Sequence, residues 1–469
     1  LTSRLHRYRA LANTLAAALR AGSYPPGTRL PAVRQLCTEH RASLATVTRA
    51  LHDLEDEGLI EARPRRGFFS RQAVAAPTAS GRSTVPAVEL EGRRKRLMAL
   101  ATPAPGCLSL GHLALPAQLL PLAALRRLVA QALHTDPACL ATGSVFGSAA
   151  LREQLAKRSQ RMGCAFDPED IVVTHGESES LQLCLNLLAA PGDVVAVARP
   201  APLRALELIA SSGLQALEIP GPAGGGLSAA ALGRALQQHR IVACVADAGG
   251  GRATGADPSS AEQLSLASVL ARHRLPMIEC DMMGELHAGA YRPRPTKAFD
   301  AEDWVLYCGS FACITGPGFS LGHVVSGRYR LQLRAARAVH GELVPAMTDR
   351  VLAAFVAEEG FDRHLRQLRR RLAAQVEAHR SAVLQHFPAG TRVSTGASGY
   401  ALWVEMPRHV SALTLLERAR ARGYTFVPGA VFTTGGQLDH CLRLTATQAL
   451  DANRGLGIRT LGEIACGLA

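Results

Sequence analysis

From about residue 107 onward, short β-rich runs alternate with stretches of helical period, and this alternation limits the possible fold more than any other feature. The runs are Ile171–Thr174, Val194–Val197, Ile241–Val245, Pro276–Glu279 and Trp304–Tyr307. Strands separated by helices return in parallel, so this region should be an α/β domain with a mostly parallel sheet. Ligands of such sheets bind at the carboxyl ends of the strands. The chain has 469 residues, enough for two or three domains, and its 48% hydrophobic and 19% charged content is that of an ordinary globular protein.

The first 72 residues follow another pattern. Leu11, Leu15, Ala18 and Leu19 recur at helical spacing between Leu5 and Ala21, and Gly22 stops that helix. Tyr24-Pro25-Pro26-Gly27 has the composition of a turn. Leu30 to Leu36 opens a short second helix with Pro31 in its first turn. Ser43 caps a third, whose buried face is Val47, Ala50, Leu51 and Leu54, and Gly58 ends it. Two extended segments around Pro64-Arg65-Arg66-Gly67 predict a hairpin. Three helices and a hairpin make a winged helix-turn-helix. Ser43, Thr46 and Arg49 lie on the opposite face of the third helix and suit phosphates and base edges of a major groove. Arg65 and Arg66 at the wing tip suit phosphates or a minor groove.

This segment resembles the GntR winged-helix family in Pro26-Gly27-Thr28-Arg29-Leu30-Pro31, in Thr46-Val47-Thr48-Arg49-Ala50-Leu51, in Glu57-Gly58-Leu59-Ile60 and in Arg66-Gly67-Phe68-Phe69. The resemblance implies DNA contacts by Arg34, Ser43, Thr46, Arg49, Arg66 and Gly67. Charge agrees with it. Residues 1–72 carry 12 Arg against 6 Asp and Glu, almost half of the net +14. Residues 73–106 are small, Pro-containing and partly basic, and are expected to be a linker between a DNA-binding domain at 1–72 and a body at 107–469.

Within the body, the run Gly309-Ser310-Phe311-Ala312-Cys313-Ile314-Thr315-Gly316-Pro317-Gly318 resembles the glycine-rich stretch that bears the Schiff-base lysine of fold type I aminotransferases. At the lysine position stands Cys313, and a thiol forms no imine with pyridoxal phosphate. Only Lys95, Lys157 and Lys297 are present elsewhere, and each is expected at the surface. Other landmarks follow in order: Thr174-His175-Gly176-Glu177-Ser178, Pro191-Gly192-Asp193, Thr254-Gly255, Glu279-Cys280-Asp281 and Leu442-Arg443-Leu444. The whole chain is thus similar to the MocR subgroup of GntR regulators. That resemblance implies a fold type I aminotransferase-like domain with a smaller α+β subdomain at about 345–469. It also implies a head-to-tail homodimer, and hence paired half-sites in a double-stranded DNA operator.

By the same resemblance Asp281 would face a pyridine nitrogen, Ser178 and Ser310 a phosphate, and Arg443 a substrate carboxylate. The positions for a stacking aromatic, a ring-hydroxyl partner, the aromatic after Asp281 and a phosphate arginine hold Pro202, Arg252, Met282 and Ser320. Several lost contacts, each costing on the order of 1–3 kcal/mol, predict no covalent pyridoxal phosphate and noncovalent binding at most. The expected pocket comprises Ser178, Arg252, Asp281, Ser310, Cys313 and Arg443 and would take a small carboxylate effector. The alternative is an active pyridoxal-phosphate enzyme fused to a DNA-binding domain. Eleven cysteines without a C-x-x-C pair argue against a disulfide framework or structural zinc and for a cytoplasmic setting. Cys280, Cys308 and Cys313 are expected to be small buried hydrophobes, and His175, His287 and His323 ordinary polar or core histidines. No signal peptide or apolar run of membrane-spanning length is legible.

Overall fold

The computed structural model describes residues 11–12, 14–16, 18–19, 24, 27–40, 42–56, 60–63, 67–70, 106–202, 204–221, 226–248, 258–289, 292–340, 342–394 and 399–469. The chain divides into two compact units, Leu1–Arg82 and Ser83–Ala469. The expected linker lies almost wholly outside the described residues.

In the first unit the described part of the expected first helix buries Leu11, Leu15 and Leu19. A second helix, Val33–Glu39, starts later than its sequence suggests. The reason is Leu30, whose backbone N–H donates to the Phe68 carbonyl at 2.9 Å, and Arg29, which bridges Phe69, so this stretch joins the wing. The third helix, Leu44–Asp56, turns Val47, Ala50, Leu51 and Leu54 fully inward, as its spacing requires. Ile60–Arg63 pairs antiparallel with Gly67–Ser70 in the expected hairpin. Gly67 sits at φ +96°, where a side chain would be strained.

The second unit is built on a seven-stranded sheet in the order Ile171–Thr174, Gly322–Val325, Val305–Ser310, Met277–Asp281, Ile241–Asp247, Val194–Arg199, Gln215–Pro220. All five expected strands are there. Gly322–Val325 and Gln215–Pro220 join them, and Gly322–Val325 runs antiparallel to both its neighbours. The parallel strands bury both faces between helices, consistent with their near-continuous apolar character.

The segment expected to form a smaller subdomain, about 345–469, contains a second sheet. Its antiparallel sheet orders Arg392–Val393, Ala401–Glu405, Cys441–Thr445 and Val427–Pro428. Beside it Leu108–Ser109, from the start of the body, pairs in parallel with Tyr424–Thr425. Helix Ala346–Ala357 packs instead on Leu122–Thr135 and Ala149–Ser159. Lys297 also departs from expectation: it is buried, its Nζ donating to Asp300 at 3.2 Å and Asp303 at 2.8 Å. Two carboxylates compensate a charge that burial alone would expel. Among the described residues no helix is long and apolar enough to cross a membrane.

Candidate functional site

The DNA-reading candidates of the first unit surround the Leu44–Asp56 helix. Arg34 and Arg49 are exposed, Ser43 is exposed and Thr46 half-buried. Ser43 Oγ accepts from the Thr46 backbone N–H at 3.3 Å and shares a 2.8 Å hydrogen bond with Thr46 Oγ1. The N-cap role expected of Ser43 is thus present, and it draws in the Thr46 hydroxyl. Gly67 opens the second wing strand, whereas Arg65 and Arg66 lie outside the described residues.

In the second unit a cleft of about 810 Å³ opens at the carboxyl ends of the parallel strands. Ser178, Ser310, Cys313 and Arg443 all line it, joined by Met282 and Ser320. Arg252 lies outside the described residues. Cys313 is buried in the short helix Ala312–Thr315 that follows strand Val305–Ser310. Ser310 Oγ accepts from the Ala312 N–H at 3.2 Å, tightening that turn. Arg443 enters from the small sheet, 2% exposed, where it donates from Nη2 to the Gly111 carbonyl at 3.2 Å and stacks 5.3 Å from the Phe432 ring centre. No lysine lines the cleft among the described residues: Lys157 is an exposed helix residue and Lys297 is held by its two aspartates.

One end of the cleft is the N-terminus of helix Glu177–Leu188. Helix N-termini attract anions, and this one carries Glu177 and Glu179 in its first turn, with no side chain capping its Gly176 end. Glu179 Oε2 accepts from the His175 backbone N–H at 2.6 Å and lies 3.1 Å from His175 Nδ1, and Glu177 lines the same wall. The other Glu179 oxygen accepts from Nη1 of Arg337, a fully buried arginine that also donates to the Glu342 carbonyl at 2.6 Å. Arg337 carries no signal in the sequence, since its helix reads as an ordinary amphipathic one.

Asp281, also expected in the pocket, directly precedes the cleft residue Met282 and is held by partners of its own. Its carboxylate accepts from the Gly284 N–H at 2.9 Å and from the Tyr307 hydroxyl at 2.7 Å, and it forms an ion pair with Arg292. Asp281, Tyr307 and Arg292 border an adjoining cavity of about 50 Å³ with Glu285 and His323, which shares Met282 and Ser310 with the cleft. Strand alternation turns Asp281 and its neighbour Cys280 to opposite faces, and the registry of Met277–Asp281 decides which face the carboxylate takes. Arg292 in turn bonds Tyr307 at 2.9 Å and Glu285 at 3.3 Å. Against the pull of burial, the Asp281, Tyr307 and Glu285 oxygens raise the Arg292 pKa well above its ordinary value. Burial, and the Arg292 charge after it, push His323 down to about 4, so that it is neutral at pH 7. Burial, and after it the Asp281 charge, push Asp247 up to about 7 against the opposing field of Arg443.

Cys308 lies in the core with its Sγ 3.9 Å from that of Cys184, and Cys280 is equally buried, as small hydrophobes are. His175 bonds Glu179, and the buried His287 accepts from the Gly289 N–H at 3.1 Å through Nδ1. No group of three or more candidate metal ligands occurs among the described residues.

Comparison with known proteins agrees with both halves. Residues 7–69 match the model of the bacterial regulatory proteins of the gntR family. The whole chain is similar to the uncharacterized HTH-type transcriptional regulator YdcR of Escherichia coli (strain K12), at 30% identity over 98% of this chain and 99% of that one. It is also similar to the probable rhizopine catabolism regulatory protein MocR of Rhizobium meliloti, at 24% identity over 90% and 86%. Among solved structures, kynurenine aminotransferase of Pyrococcus horikoshii shares the fold with a TM-score of 0.74 at 22% identity, over 80% of this chain and 94% of that one. The α-aminoadipate aminotransferase LysN of Thermus thermophilus does so with a TM-score of 0.71 at 24% identity, over 81% and 97%. A GntR helix-turn-helix unit followed by an aminotransferase-like body, in one chain matched end to end by a regulator, means that this protein belongs to the HTH-type transcriptional regulators of the GntR family with an aminotransferase-like domain, the MocR type.

Proposed function

We propose that this regulator binds paired half-sites of double-stranded DNA as a homodimer, and that its cleft senses a small carboxylate-bearing effector without covalent pyridoxal phosphate and without transaminase activity. The observation that carries the reading is the make-up of the cleft: Arg443 and Cys313 line it, and no described lysine does. A guanidinium on an apolar floor grips a carboxylate, with the Phe432 ring fixing its plane. The described residues of the cleft do not fit the cofactor usual for this fold. No lysine amine is among them, the Asp281 carboxylate is engaged by Arg292 and Tyr307, and the helix that would cradle phosphate carries two carboxylates, Glu177 and Glu179, in its first turn at the cleft wall. An effector acts here by binding one arrangement of the dimer more tightly than another, which changes the spacing of the two winged helices.

The test is thermal-shift screening of the full chain with pyridoxal phosphate, amino acids and keto acids, in the wild type and in Arg443→Ala. Stabilisation by a carboxylate ligand, lost in Arg443→Ala, is the expected result. A yellow protein whose chromophore borohydride fixes to a lysine would refute it.

A further inference from the structure

The first turn of the Leu44–Asp56 helix holds an unexpected residue for a surface that reads DNA. Leu44 is 61% exposed, a large apolar side chain at the first helical position. The residues from Ser43 to Thr48 are Ser, Leu, Ala, Thr, Val and Thr, and none of them forms a bidentate hydrogen bond to a base. The Ser43 and Thr46 hydroxyls engage each other, since they share one hydrogen bond and Ser43 caps the Thr46 N–H. Val47 is fully buried. Beside the exposed Ser43, the turn presents an apolar pair outward, Leu44 and Ala45, both exposed, and Thr48 is half-buried. Two arginines of the same helix pair are exposed as well, Arg34 on the preceding helix and Arg49 on this one. An apolar strip on a unit that also exposes arginines suits a duplex groove, in which the arginines meet phosphate and the strip meets the carbon face of a base. The single apolar group on the major-groove floor is the C5-methyl of thymine.

We infer that Leu44 is a specificity-determining residue that recognises a thymine methyl in each half-site. This rests on the DNA-binding reading of the first unit and adds to it the base that the helix selects. Covering one methyl contributes modestly, so the preference at that position is about three- to fivefold over uracil.

The probes are duplexes enriched by the full-length protein from a random pool, with each thymine in turn replaced by uracil, which lacks only the methyl. Wild type is expected to lose about three- to fivefold in affinity at one position per half-site and to tolerate the replacement elsewhere. Leu44→Ala is expected to bind the thymine duplex more weakly by about the same factor and to be indifferent to uracil at that position. An exposed Leu→Ala change inside a helix leaves the unit folded. Leu44→Gln is expected to move the preference there from thymine toward adenine. Uniform tolerance of uracil by the wild type, or sensitivity that survives in Leu44→Ala, overturns the inference while leaving DNA binding intact. Absence of any duplex binding at low salt overturns both, and so separates the two failures.

Discussion

Replacing Glu179 by Gln should destabilise the body more than replacing its partner Arg337 by Met, although both changes break the same ion pair. Arg337 has no exposed side-chain surface and Glu179 retains 29%. Glu179→Gln therefore leaves a guanidinium in the interior with a neutral neighbour. Removing one partner of a buried pair costs about 3–5 kcal/mol; because Gln still offers an acceptor oxygen, about 2–3 kcal/mol is appropriate. Arg337→Met removes the charge and an Nε that has no hydrogen-bond partner among the described residues. It leaves Glu179 partly solvated and still capping the His175 N–H, so the cost is about 1 kcal/mol. Unfolding entropy for a body of this size is on the order of 0.8 kcal/mol/K, so the expected losses in Tm are about 3 °C and about 1 °C. Circular dichroism melting of both variants and of the double variant measures this. In the double variant the charge left behind is gone, so it should melt above Glu179→Gln alone. A Tm loss in Arg337→Met that equals or exceeds that of Glu179→Gln would refute the reasoning.

Leu51 is fully buried on the inner face of the Leu44–Asp56 helix, so Leu51→Ala should cost about 2–5 kcal/mol in the first unit and abolish a mobility shift while leaving the melting of the body unchanged. Arg34→Ala with Arg49→Ala should weaken DNA binding across all sequences and lower the slope of log K against log salt by about 2, read from titrations at several salt concentrations. Asp247 is protonated up to about pH 7 in the folded chain, whereas an ordinary aspartate has released its proton well below that pH. The folded state therefore binds more protons between those limits, and stability falls as pH rises through the window. Asp247→Asn should flatten that decline in denaturant unfolding measured from pH 4 to 8. Treatment with pyridoxal phosphate and borohydride should leave Lys297 unlabelled in a peptide map of the folded protein, because its ammonium is buried between Asp300 and Asp303.

Legibility followed sequence locality. Val47, Ala50, Leu51 and Leu54 announced a buried helix face because helix period is written in the order of residues, and the structure buries all four. The strands from Ile171 to Tyr307 were readable for the same reason, each a compact apolar run between helices. Gly322–Val325 escaped because a four-residue strand beginning with Gly offers too short a pattern, and only its two antiparallel neighbours define it. Ser178, Ser310, Cys313 and Arg443 come from three separated stretches and line one cleft.

What the sequence by itself determined is the inventory: a helical, basic first unit, an α/β body, a thiol at position 313 and three lysines in all. Tertiary structure decided where the charges went. The sequence holds Asp281 but not the face its carboxylate takes, because that depends on strand registry and on Arg292 arriving from eleven residues away. Nor does it hold the burial of Arg337 and Lys297, two cations whose usual place is the surface and which only carboxylates brought close by folding could keep inside. Apolar periodicity is a local property of the chain, whereas the pairing of a buried charge is a property of space, and for that reason only the folded chain reveals it.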